Sequence, residues 1–188
     1  MRFIYLALIL TFTVGCSGLT VNTDYAQEQD FSSYQSWQWH PDGPPQTADL
    51  NRMGSDIFDT RVKRLIDQDL AGKGLTTSDK PDFYVNYAVI TDDRVSINTY
   101  NSYGGYGGGW GGYYGRGAYG GGTSHTSVNY YEEGTLIIDI IDARSNLLVW
   151  RGSAQGRLDK KTTPEKNETN TQEAILKILA DFPPQPAM

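Results

Sequence analysis

Between Gly134 and Gly152, two runs rich in Ile, Leu and Val flank the turn-prone tetrad Ala143-Arg144-Ser145-Asn146. Apolar, β-branched runs of this length read as strands, and Asn tolerates the left-handed backbone of a short loop, so the segment predicts a β-hairpin at the centre of a sheet. With Asp142 opposite Leu147, Ile140 faces Val149 and Ile138 faces Arg151, while Ile137, Asp139, Ile141, Leu148 and Trp150 line the other side. Both sides are mostly apolar, which predicts that both are covered.

The rest of the chain supplies elements to cover it. Leu19 to Tyr25 alternates as a strand does, and Gln35-Ser-Trp-Gln-Trp39 is a second strand with Trp37 and Trp39 on one side, a spacing that suits core packing better than a ligand platform. His40 to Pro45 holds three prolines and a glycine and predicts a loop. From Asn51 to Ala71, Met53, Ile57, Phe58, Val62, Leu65, Ile66 and Leu70 recur at helical spacing, with Gly72 or Gly74 as the stop. Asp82 to Ile90 and Val95 to Tyr100 alternate about Thr91-Asp92-Asp93-Arg94, which predicts a second hairpin. Thr126 to Tyr131 then leads through a turn at Glu132-Glu133-Gly134 into the central hairpin. Thr163-Pro164-Glu165 combines a capping hydroxyl, a proline at the first helical position and an acid in the first turn, and Ala174, Ile175, Ile178, Leu179 and Phe182 give that helix one apolar face. The expected class is α+β, an antiparallel β-meander with two amphipathic helices packed on one face. A chain of 188 residues suits one domain, here residues 19–184, and at this size about 70% of the unfolded surface can be buried.

Met1-Arg2, the apolar run Phe3 to Val14 and Gly15-Cys16 read as a secretory signal too short to span a membrane, so residues 1–15 are expected to be removed. The one cysteine stands where a bacterial lipobox places the thiol that accepts diacylglyceryl, with Thr13 where Leu is commonest. Cys16 is therefore the expected lipidation site, and residues 16–18 the tether; the other reading is a buried free cysteine behind an ordinary signal. Ser17 in place of Asp directs such a lipoprotein to the outer membrane, on its periplasmic side. Without residues 1–15 there remain 15 basic and 22 acidic side chains, a net charge near −7 that argues against nucleic acid as a partner.

Several short motifs recur in order along the chain: Asp24-Tyr25, Asp30-Phe31-Ser32-Ser33-Tyr34, Trp37-Gln38-Trp39, Lys73-Gly74-Leu75, Pro81-Asp82-Phe83, Val85-Asn86-Tyr87, Gly134-Thr135-Leu136, Val149-Trp150-Arg151-Gly152 and Phe182-Pro183-Pro184, with Asp139 and Asp142. In this order and spacing the chain resembles the bacterial lipoproteins of domain-of-unknown-function family 4136. That family has no established activity, so the resemblance implies no catalytic residue. The departure is an insert over residues 103–124, where twelve of the nineteen residues from Gly104 to Gly122 are glycine.

Glycine this dense loses too much chain entropy on ordering to fold alone. Two readings of the insert stand: a surface connector, or an adhesive surface in which Tyr103, Tyr106, Trp110, Tyr113, Tyr114 and Tyr119 stack on sugars or settle at a membrane interface. Gly107-x-Gly109-x-x-Gly112 matches a dinucleotide fingerprint only by glycine content, since no strand and helix frame it. His40 and His125 lie apart beside loops, so neither a metal nor another cofactor is expected. Asp92-Asp93 and Glu132-Glu133 fall in predicted turns; Asp139, inside an apolar strand, is expected to be buried and paired, for instance with an arginine on a neighbouring strand. The expected function is a non-enzymatic structural or interaction module of the envelope, partnered by the membrane through its lipid and by peptidoglycan or another envelope protein. The alternative is a cell-wall glycan-binding protein or hydrolase using the aromatic and carboxylate side chains.

Overall fold

The computed structural model describes residues 18–43, 55–102, 123–159 and 161–184. Six strands, β1 (Thr20–Tyr25), β2 (Ser36–Trp39), β3 (Thr76–Thr77), β4 (Phe83–Ser102), β5 (Thr123–Asp142) and β6 (Leu148–Leu158), form one sheet in the order β1-β6-β5-β4-β2-β3. Two helices, α1 (Ser55–Gly72) and α2 (Pro164–Leu179), share one core with one side of that sheet. The class is α+β as expected, but the sheet is mixed rather than an antiparallel meander. β4, β5 and β6 do form a meander with β1 antiparallel at its edge, whereas β2 runs parallel to β4 and β3 parallel to β2. The cause is α1: a helix between two strands returns the chain to the end from which it started, so β3 must run in the direction of β2.

A second correction concerns Thr91 to Arg94, which is no turn. β4 passes straight through it, paired with β5 without interruption from Phe83↔Asp142 to Ser102↔Thr123, and the reversal falls between residues 102 and 123. Thr91, Asp92, Asp93 and Arg94 need no glycine and no positive φ here, and Arg94 finds a charge partner across the ladder, its Nε 3.1 Å from Glu133. Glu132-Glu133-Gly134 is likewise strand, opposite Leu158, Arg157 and Gly156 of β6.

The third correction is the register of the central hairpin. Asp142 N donates to Leu147 O at 2.9 Å as expected, and Asn146 takes φ 56°, but a bulge between Ile140 and Ile141 slips the pairing so that Ile140 faces Trp150, Asp139 faces Arg151 and Ile138 faces Gly152. One extra residue transfers the side chains beyond it to the other face. Trp150 therefore joins Ile138 and Ile140 in the core instead of lying opposite them. The outward side is not covered by either helix: Ile137 and Ile141 are half-buried, and Ile90 and Leu148 are exposed.

The helix ends follow their local signals. Thr163 Oγ1 accepts from Lys166 N at the start of α2. Beyond α1, Gly74 at φ 83° lets Gly74 N reach Ala71 O and Leu75 N reach Leu70 O, the Schellman pair of bonds that also folds Leu75 back onto the core. Val62, Ile66 and Leu70 of α1 and Ile175, Ile178 and Leu179 of α2 are fully buried against Val85, Tyr87, Val89 and Ile138.

The Trp150 ring folds back over Gly152. A Cβ at that position would lie 2.4 Å from Trp150 Cη2 and 2.6 Å from Ile178 Cγ2. Neither atom can yield without moving the ring or α2, so Gly152→Ala is expected to cost about 1–3 kcal/mol, as overpacked cores do. Ile138→Ala, which leaves a void beneath the same ring, is expected to cost about 2–5 kcal/mol. Chemical denaturation of both variants measures this; a Gly152→Ala protein as stable as its parent would show that the ring is not seated there.

Candidate functional site

β6 runs toward Leu158 and β1 starts beside it, with Thr20 opposite Gln155, so the N-terminal residues leave the sheet at the end where β6 stops. At that end, Gly134 and Gly156 sit opposite each other on the side of the sheet that faces the helices. Two glycines in register leave a trough in the pleated surface. Their neighbours lean into it: a Cβ on Gly134 would meet Leu158 at 2.9 Å, and one on Gly156 would meet Leu19 at 2.6 Å. Above the trough lies a cleft of about 550 Å³, floored by Val89, Leu136 and Ala154 and walled by Phe58 of α1, Ala174 of α2 and Leu19. Its volume falls in the range of small-molecule sites, roughly 300–1,000 Å³.

Charged side chains stand at the rim, Arg61, Glu132, Arg157, Asp159, Lys166 and Glu173. Arg61 Nε lies 2.7 Å from Glu168, which Arg64 also grips, and Lys166 Nζ lies 2.6 Å from Asp159. The bond from Arg64 first and that from Arg61 second hold the Glu168 carboxyl below the usual range, and Lys166 does the same for Asp159. A smaller hollow of about 390 Å³ lies between the helices, lined by Leu65, Asp69, Lys73, Ile175 and Leu176. Burial raises the Asp69 carboxyl there and Lys73 opposes the rise.

Of the residues singled out by sequence, Cys16 and the six aromatic residues Tyr103, Tyr106, Trp110, Tyr113, Tyr114 and Tyr119 lie outside the described residues. Asp139 is paired in two-pronged fashion with Arg151, at 2.6 and 2.8 Å, on the outward side of the sheet and not in the core. The slipped register brings these two face to face. Asp92 stands opposite Glu133 and Asp93 opposite Glu132, and Glu133 takes bonds from Arg94 and from Gln155 Nε2 at 2.9 Å. Sequence reasoning missed the cleft altogether. Its signal was available in the glycines at 134 and 156, each inside a strand-like run where glycine marks a close approach.

A family model described as domain of unknown function DUF4136 matches residues 21–184. The chain belongs to that family. No curated protein matches the sequence. Among solved structures, the chain is similar to a PDZ domain protein from Parabacteroides distasonis, at 14% identity and a TM-score of 0.51, covering 89% of this chain and 36% of that one. The chain thus spans about a third of that protein, and the likeness is one of fold. It also aligns with PelC from Paraburkholderia phytofirmans, solved as a dodecamer, at 11% identity and TM-scores of 0.42 and 0.43, over 86% of this chain and 95% of that one.

Several of the short motifs of this DUF4136 domain, those of Tyr34, Asp82, Asp142 and Phe182, converge at the end of the sheet opposite the cleft. Tyr34 Oη donates to Asp142 Oδ2 at 2.9 Å, while Asp142 Oδ1 accepts from Ser145 N at 2.7 Å and Arg144 N at 3.1 Å, closing the β5–β6 turn. Burial pushes the Asp142 carboxyl up, but the bonds from Ser145, Tyr34 and Arg144 outweigh it and hold it below the usual range. The Tyr34 phenol is raised by burial first and by Asp142 second. Asp82 Oδ2 accepts from Gln35 N, Ser36 N and Ser36 Oγ at 2.9–3.1 Å, clamping β2 onto β4. Phe182 fills the space beneath, its ring 5.2–6.3 Å from those of Phe31, Phe83 and Trp150. These hydrogen bonds join members of the cluster to the backbone or to one another and hold the β2–β4 and β5–β6 connections in place.

The Asp82 carboxyl is lowered, chiefly by the Gln35 N–H. A depressed carboxyl contributes stability above its unfolded value of about 4 and loses it as pH falls through the lower folded value. Asp82→Asn is expected to melt below the parent at pH 7, with the gap narrowing as pH drops below about 4, where the parent carboxyl itself takes a proton. Melting temperature against pH tests this; a gap of constant size would remove the charge from the account.

Proposed function

We propose that this chain is a lipid-anchored protein of the bacterial outer membrane, facing the periplasm, that works by binding rather than by chemistry. The observation that carries this reading is the cleft at the tethered end: an apolar floor of ligand size, beside Gly18 and Leu19, with the Lys166–Asp159 ion pair at its rim. Such a cleft admits an apolar ligand and its charged rim orients it. The lipobox ending in Cys16 supplies the anchor, two residues before the cleft begins. Two residues span about 7 Å at most, so an acylated Cys16 would hold the cleft close to the bilayer.

The test is chemical. Expressed in a bacterium with two membranes, the protein is expected in the membrane fraction with an intact mass that begins at Cys16 and carries acyl chains. Cys16→Ala, or globomycin, is expected to leave the 188-residue precursor unprocessed. A mature chain with an unmodified Cys16 thiol would overturn the anchor.

A further inference from the structure

β6 ends at Leu158, opposite Glu132, and β2 reaches along β4 only as far as Val85. From Arg94↔Tyr131 to Ser102↔Thr123, β4 and β5 therefore continue as a two-stranded ribbon of nine cross-strand pairs, about 30 Å long at roughly 3.3 Å per residue. Alternation makes its faces unlike. The face continuous with the helix side carries the cross-strand pairs Val95↔Tyr130 and Ile97↔Val128, which are 52%, 76%, 65% and 47% exposed. The opposite face carries Arg94↔Tyr131, Ser96↔Asn129 and Asn98↔Ser127. A two-stranded ribbon is marginal in water on its own, and four adjacent apolar side chains on one face mark a contact surface.

We propose that this apolar face lies on the bilayer interface, a zwitterionic lipid surface, as a second contact beside the N-terminal anchor; the proposal rests on the anchoring argued above. Two observations select lipid. β1 starts at Thr20, opposite Gln155, with Leu19 against Gly156, at the end from which the ribbon projects, so a lipid on Cys16 would bring the membrane to that end. The patch is also small. A stable protein interface buries about 1,200–2,000 Å² in total, whereas a tethered domain meets its own membrane at high effective concentration and needs only a weak second contact. Tyr130 suits the place, since a phenol has an apolar body and a wet end. Asp93 and Glu132, at the base of the same face, favour zwitterionic over anionic headgroups.

The experiment uses the full lipidated chain in phosphatidylcholine vesicles whose acyl chains carry a nitroxide quencher. A fluorophore is placed at Ile97→Cys or, as the opposite-face control, at Asn98→Cys. Vesicle flotation reads the anchor and quenching reads the ribbon, so the two can fail separately. The expected result is flotation of both, with quenching at position 97 several-fold stronger than at 98. Flotation with equal quenching at both positions would overturn the proposal. So would self-quenching between labels at 97 on separate molecules without lipid quenching, which would mean that a second copy covers the ribbon. If the chain does not float, the anchoring reading fails, and quenching at 97 under saturating lipid decides the ribbon: its presence retains the lipid contact and its absence ends it.

Discussion

Twenty unbroken cross-strand pairs between β4 and β5 are the constraint on which the molecule is built. The inner part of this ladder supplies Val85, Tyr87, Val89, Leu136, Ile138 and Ile140, the floor on which both helices rest. The outer part runs past the helices and past β6. A core-facing side chain in one half and an exposed valine in the other thus belong to the same face of the same strand. Body, cleft and ribbon follow from where the covering elements stop along it.

Space on the covered face is adjusted by the bulge and by three glycines. The bulge in β6 puts Trp150 into the core; Gly152 gives its ring room; Gly134 and Gly156 open the trough under the cleft. Polar side chains pin α1 to the same face. The Tyr87 phenol bonds to Asp59, and Trp39 Nε1 donates to Asp67 at 3.1 Å. Burial raises the Tyr87 phenol and also the Asp67 carboxyl, the latter offset by Trp39. A hydrogen bond to a partly buried group adds direction to packing, which by itself has none.

The two ends of the sheet differ in kind. At one, Tyr34, Asp82 and Asp142 spend their hydrogen bonds on backbone and on each other, beneath a cluster of aromatic rings around Phe182. At the other, an apolar surface is left open between ion pairs and next to Gly18 and Leu19. The first end is closed by hydrogen bonds and ring packing, whereas the second leaves an apolar cleft open.

Local signals in the sequence determined most of the elements. Helical spacing marked α1, a threonine, a proline and an acid marked the start of α2, Gly72 or Gly74 marked the end of α1, Asn146 marked the central turn, and alternation marked the strands. The family resemblance was equally visible, because short motifs in order are a property of sequence. Tertiary structure alone decided three things. The direction of β2 and β3 depended on where α1 crosses. The continuity of β4 through Asp92 and Asp93 depended on its pairing with β5 some forty residues away, including the Arg94 contact with Glu133. The face of Trp150 depended on one unpaired residue in β6. In each case the deciding contact is long-range, and in a strand, where side chains alternate, a single such contact reassigns every residue beyond it.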